Sequence, residues 1–133
     1  MVRKGMPMDR IIVSTDKAPA AVGPYSQAVI AGDLVFTAGL IPLDPETGEV
    51  LGADITAQTG QVIRNLESIL EEAGSSLYQV VKTTVFLTDM NNFAGMNSVY
   101  GEFFASNPPA RSTVEVGPLP RGVLLQMESI AVR

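Results

Sequence analysis

Apolar positions recur at helical spacing in two stretches of this chain and alternate, or run unbroken, in six shorter ones. Between residues 55 and 73, Ile55, Val62, Ile63, Leu66, Ile69 and Leu70 keep one helical face, which Asp54 or Thr56 can cap and Gly74 can end. A second helix is predicted over about 92–105, with Phe93, Met96, Tyr100, Phe103 and Phe104 on one stripe. The remaining runs predict strands at 10–14, 25–31, 34–41, 80–87, 111–116 and 124–132. Gly32-Asp33 has the spacing of a two-residue hairpin turn, while 18–24 and 44–48 read as loops punctuated by proline and glycine. The strand at 34–41 is apolar on both faces, which predicts that it is covered on both sides.

The order β-β-β-α-β-α-β-β predicts an α+β fold, a mixed six-stranded sheet with two helices packed on one face. Two helices leave the second sheet face bare. No third layer exists in the sequence to bury it, so a second copy of the same chain is the economical cover, and a homo-oligomer is expected. Residues 1–133 read as a single domain, without internal repeat, low-complexity tract or linker.

Composition narrows the chemistry. With 46% hydrophobic and 17% charged residues the chain is an ordinary globular one. It has no cysteine, which removes disulfides, thiolate catalysis and cysteine-held metals, and no histidine, which removes the usual general base and the commonest metal ligand. A Ser-His-Asp nucleophile or a zinc hydrolase cannot be built, and no metal site is expected. The net charge of -5, with basic residues scattered singly, argues against a nucleic-acid partner. No apolar run approaches the ~20 residues of a membrane helix. The basic start Met1-Val2-Arg3-Lys4 is not followed by the apolar core of a signal peptide, so the cytoplasm is the expected compartment.

Pro108-Pro109 halts the second helix, and Arg111 then opens a β-branched strand. A guanidinium is a rigid fork of donors suited to a carboxylate, and a strand end holds it firmly. Two readings stand for Arg111: pairing with Glu115 on the same strand face, or service to a ligand. Thr113 shares that face. Tyr25 follows a Gly-Pro bend and reads as core, interface or site. Gly39 interrupts a strand, either as a bulge or where a ligand approaches. Asn97 lies four residues after Phe93, within or beside the apolar stripe, so its amide needs a partner. Gln126 and Glu128 share a face of the last strand.

Gly23-Pro24-Tyr25-Ser26-Gln27-Ala28, Thr37-Ala38-Gly39-Leu40-Ile41-Pro42, Lys82-Thr83-Thr84-Val85-Phe86-Leu87, Pro109-Ala110-Arg111-Ser112-Thr113 and Glu128-Ser129-Ile130-Ala131-Val132 resemble the RidA/YjgF family in order and spacing. The match runs from about Ile11 to Arg133. The resemblance implies a chorismate-mutase-like fold and a homotrimer with clefts between subunits. It also implies cofactor-free hydrolysis of reactive enamine/imine intermediates, 2-imino acids of the 2-aminoacrylate and 2-iminopropanoate type, to 2-keto acids and ammonia. On that pattern Arg111 anchors the carboxylate, Tyr25 faces substrate or water, and Gly39 and Asn97 lie at the cleft; Thr113, where many relatives have a cysteine, either lines the same pocket or only packs.

The chain departs from the pattern in one place that bears on mechanism. Gln126 stands where the family usually has the glutamate credited with orienting or activating water, and a glutamine positions water without taking its proton. Glu128 is the carboxylate left to substitute. Ala38 and Leu40 replace a serine and a glutamine, so a drier cleft is expected. The leading expectation is a 2-iminobutanoate/2-iminopropanoate deaminase-like hydrolase. The alternative is a non-catalytic small-carboxylate-binding or stress-related interaction module. A ribonuclease or translation-inhibitor activity, also attached to this family, fits poorly with the acidic charge and absent histidine.

Overall fold

A computed structural model of the chain describes residues 9–133; the basic start, Met1 to Lys4, lies outside them. Among the described residues the strands are β1 (Arg10–Val13), β2 (Ala28–Ala31), β3 (Leu34–Thr37), β4 (Val80–Leu87), β5 (Ala110–Glu115) and β6 (Leu125–Val132). The α-helices are α1 (Ile55–Glu72), between β3 and β4, and α2 (Phe93–Phe103), between β4 and β5. The strands form one mixed sheet in the order β1-β2-β3-β6-β4-β5. Only β4 and β5 run parallel, because a helix connects them, and every other neighbouring pair is antiparallel. The order of elements is the one the apolar pattern predicts.

Helix α1 begins where Asp54 accepts a hydrogen bond from the Ala57 amide at 2.9 Å, and the chain leaves it through Gly74 at φ +81°. Its fully buried stripe of Val62, Ile63, Leu66, Ile69 and Leu70 belongs to the same core as Val35, Val85, Leu125, Met127 and Ala131 of the sheet. Each such side chain contributes about 1.5–3 kcal/mol relative to exposure, so this seam dominates the stability of the domain.

Three buried amides carry no part of that apolar seam, yet they fix the loops around it. Gln27 accepts from the Thr15 amide at 2.7 Å and donates to the carbonyls of Thr15 at 3.0 Å and Pro19 at 2.8 Å. Asn65 on α1 donates to the Leu43 carbonyl at 3.0 Å, and Gln58 accepts from the Leu124 amide at 2.8 Å. Leaving one of these amides unpaired would cost about 1–3 kcal/mol, so each loop is held where its partner is.

Two strands are shorter than their sequence runs by more than a single residue. The run at 25–31 pairs only from Ala28, because Tyr25 closes a tight turn on the Gly23 carbonyl at 2.8 Å and Gln27 serves the loop. The run at 34–41 stops at Thr37; the chain breaks at Gly39 and re-pairs at Leu40, which exchanges two backbone hydrogen bonds with Met127 at 2.8 and 3.0 Å.

The two faces of β3 also differ. Val35 is 0% exposed under the helices, whereas Phe36 on the opposite face is 41% exposed and its neighbour in the sheet, Ile12 of β1, is 54% exposed through register with Val29. Within one chain, then, the strand expected to be covered on both sides is covered on one. The apolar residues of the second face remain open.

Candidate functional site

The sequence candidates fall into two groups on opposite faces of the sheet. The first surrounds a cavity of about 560 Å³ lined by Tyr25, Ala38, Gly39, Leu40, Arg121 and Gln126, among others. The Gln27 tether holds one wall, and Asn65, through the Leu43 carbonyl, holds another. Gln126 comes from the start of β6 and packs over the break at Gly39: a β-carbon built on Gly39 would stand 2.8 Å from Cδ of Gln126. The Gln126 Nε2 reaches the Gly39 carbonyl only at 3.5 Å, the limit of a hydrogen bond, so its amide is scarcely spent. The Tyr25 hydroxyl accepts from the Val22 amide at 3.3 Å, which sets its ring at the cavity edge.

Arg121 was not singled out by the sequence. It adopts φ +60°, left-handed for a residue other than glycine, and its side chain crosses to the Gly48 carbonyl and to Glu49 at 3.8 Å. That exposed ion pair is worth little in energy, but it places a cation at the rim. Among the described residues no aspartate or glutamate lines the cavity. Glu128, two residues beyond Gln126, is exposed outside it, so the carboxylate considered as a substitute base does not reach this wall.

The second group sits on β5 and α2. Arg111 pairs in register with Thr83 of β4, and Thr113 with Val85, so both side chains face the helices. Gln126 pairs with Phe86 and Glu128 with Thr84, which puts them on the other face. One chain therefore does not bring Arg111 to Gln126. The guanidinium carbon of Arg111 lies 4.7 Å from the centroid of the Tyr100 ring and 5.5 Å from that of Phe93. Glu115 does not take the pairing considered for it; its Oε1 accepts instead from the Met90 amide at 2.7 Å. Among the described residues Arg111 has no ion pair, and the Thr113 hydroxyl is buried without a partner.

Asn97 lies four residues after Phe93 and three before Tyr100, on the same strip of α2. It is exposed, not within the buried stripe, so its amide needs no partner within the protein. Tyr100 is buried, and that burial pushes its phenol above the usual value; the hydrogen bond with Thr83 and the charge of Arg111 pull the other way. The apolar stripe identified Phe93 and Tyr100 as core. Nothing in the one-dimensional pattern links them to Arg111, since the link depends on β5 lying beside β4 under α2. Among the described residues no group of His, Cys, Asp or Glu could hold a metal ion.

A mixed six-stranded sheet backed by two helices, with Arg111 and Gln126 on its opposite faces, defines a chorismate-mutase-like α+β protein. The family model described as Endoribonuclease L-PSP matches residues 15–133, and the chain belongs to that family, which includes the RidA and YjgF proteins. It is 54% identical over 126 residues to a RutC family protein of Pyrococcus abyssi, an alignment covering 95% of this chain and 99% of that protein. Among solved structures, the YjgF gene product of E. coli matches with TM-score 0.89 and 47% identity, covering 92% of this chain and 98% of that one. E. coli TdcF with bound serine matches with TM-score 0.89 and 45% identity over the same shares of the two chains.

Proposed function

We propose that the protein hydrolyses small 2-imino acids to 2-keto acids and ammonia, in clefts formed between copies of a homotrimer. The observation that carries this reading is Arg111, a guanidinium lying over two rings with no carboxylate to neutralise it among the described residues. Such a group suits a ligand carboxylate. The relative TdcF, which binds serine, holds a small molecule of that kind. The opposite-face arrangement supports an intersubunit cleft: the Arg111 half of one copy would face the Gln126 half of the next. The bare apolar face of the sheet gives the copies a reason to associate.

In the reaction, Arg111 binds the carboxylate and fixes the iminium carbon toward a water held by the Gln126 amide and the Tyr25 hydroxyl. Attack forms the C–O bond and a carbinolamine. Expulsion of the amine carries away the released protons as ammonium and leaves the ketone. The sum is iminium plus water to keto acid plus ammonium, which balances with no cofactor. Gln126 orients but cannot accept the proton. A protonated imine is a good electrophile, so anchoring and orientation supply the acceleration.

Among the described residues no carboxylate lines the cavity wall, which favours a second reading, a carboxylate-binding module without catalysis. The experiment that separates them measures keto-acid release from 2-iminopropanoate, generated in place from alanine by an amino-acid oxidase. Native protein should accelerate release over buffer and Arg111→Ala should abolish the acceleration. Folded native protein that binds pyruvate but gives no acceleration would leave the binding module standing.

A further inference from the structure

We propose that Phe93 and Tyr100, with Thr83 behind the tyrosine, are positioning residues that form an aromatic cradle and present Arg111 edge-on to a ligand carboxylate. The inference deepens the function proposed above and rests on it for its kinetic consequence. An arginine on an exposed strand samples many rotamers, and freezing them weakens any bond it makes. Here the guanidinium lies over two rings, 4.7 Å from Tyr100 and 5.5 Å from Phe93, both inside the range of a cation–π contact. The rings sit seven residues apart, two turns along one strip of α2, so a single helix supplies both.

Tyr100 is itself immobilised. Its hydroxyl is 2.7 Å from the Thr83 hydroxyl, and its ring lies 4.5 Å from that of Phe104, centroid to centroid. Thr83 is the register partner of Arg111 across the parallel β4–β5 pair, so one strand pair holds both the arginine backbone and the anchor of its supporting ring. Contact with the rings engages the charge of the guanidinium and not its N–H donors, so its in-plane N–H edge is left for an acceptor. Among the described residues that edge meets no carboxylate. A cradle built for stability alone would have no reason to leave that edge unspent beside the unpartnered Thr113 hydroxyl.

Carboxylate anchoring acts in ground state and transition state alike, so loosening the cradle should raise KM and spare kcat. In the 2-iminopropanoate assay, Phe93→Leu should raise KM by about threefold to tenfold with kcat within about twofold, and Phe93→Tyr should restore it. On an Arg111→Ala background Phe93→Leu should add nothing, because it acts only through the arginine. An unchanged KM in Phe93→Leu, or a full additive effect without Arg111, would overturn the proposal.

A second measurement is independent of activity. In a Tyr25→Phe, Tyr78→Phe background Tyr100 is the only tyrosine of the three in the chain, and its ionisation can be followed by phenolate absorbance. Arg111→Gln should then move that ionisation to higher pH, since the nearby positive charge that favours phenolate is gone. A shift here, with native protein inactive in the 2-iminopropanoate assay, would retain the cradle and reject the reaction; an unmoved titration would reject the cradle whatever the activity of the native protein.

Discussion

Gly39 and Gln126 are packed so closely that a β-carbon on the glycine would stand 2.8 Å from Cδ and 2.9 Å from Nε2 of the glutamine. The contact is with the far end of a flexible side chain, so the glutamine and not the backbone must yield. Gly39→Ala should therefore fold with a melting temperature close to native while displacing the amide from the cavity. If the amide holds water, kcat falls and KM for the imino acid changes little. A drop in KM-related binding with kcat intact, measured in the same assay, would place Gln126 outside the chemistry.

Gln126→Glu puts a carboxylate where the native amide sits, on a cavity wall that among the described residues carries none. If the native cleft lacks only a base, turnover should rise by about a hundredfold or more as pH increases through the ionisation of the new glutamate, the low end of what a positioned base supplies. The native protein should show no such rise. A variant no faster than native at any pH would mean that orientation alone limits the reaction.

The fold was legible because its signals are local. The 3.6-residue stripe of Val62, Leu66, Ile69 and Leu70 and the glycine after α1 depend on no distant partner, and they set that helix within a residue of its end. Strand ends were less legible, since Tyr25 and Gly39 leave the ladder for reasons that lie across the molecule, in the Gln27 tether and the Met127 bridge. Of the candidate site, family resemblance picked out the residues, and strand alternation put Arg111 with Thr113 and Gln126 with Glu128. What alternation could not give is that the two pairs lie on opposite faces, because that needs the register of β4 with both β5 and β6. The support of Arg111 by Phe93 and Tyr100 was invisible for the same reason. Gln58 and Asn65 did leave a trace: amides standing among the apolar residues of α1 must be paired by something, and they pair with site loops.

Asp54 caps α1 by accepting from the Ala57 amide and the Thr56 hydroxyl, both at 2.9 Å, and these bonds hold its carboxyl below the usual value. A depressed carboxyl contributes stability above its unfolded pKa of about 3.9, and that contribution disappears as pH falls through the lower folded value. Asp54→Ala should thus lower the melting temperature at neutral pH, and the gap from native should close below about pH 4. Thermal unfolding of both proteins across pH 2–7 checks it. A gap of constant size would show that the cap acts through backbone geometry and not through its charge.

Phe36 sits half exposed on the sheet face opposite the helices, paired with Val29 and Ile130. If that face is the contact between copies, Phe36→Asp buries a charge in an apolar interface, and association should weaken by several orders of magnitude. The effect on one isolated chain should be small, because the side chain there already meets water. Sedimentation should show a trimer for native protein and mainly monomer for the variant, with far-ultraviolet circular dichroism unchanged. Because Arg111 and Gln126 face opposite ways in one chain, the dissociated variant should also lose imine hydrolysis, and raising protein concentration should recover both together. A monomeric Phe36→Asp protein that keeps full activity would sink the intersubunit cleft and require each chain to act alone.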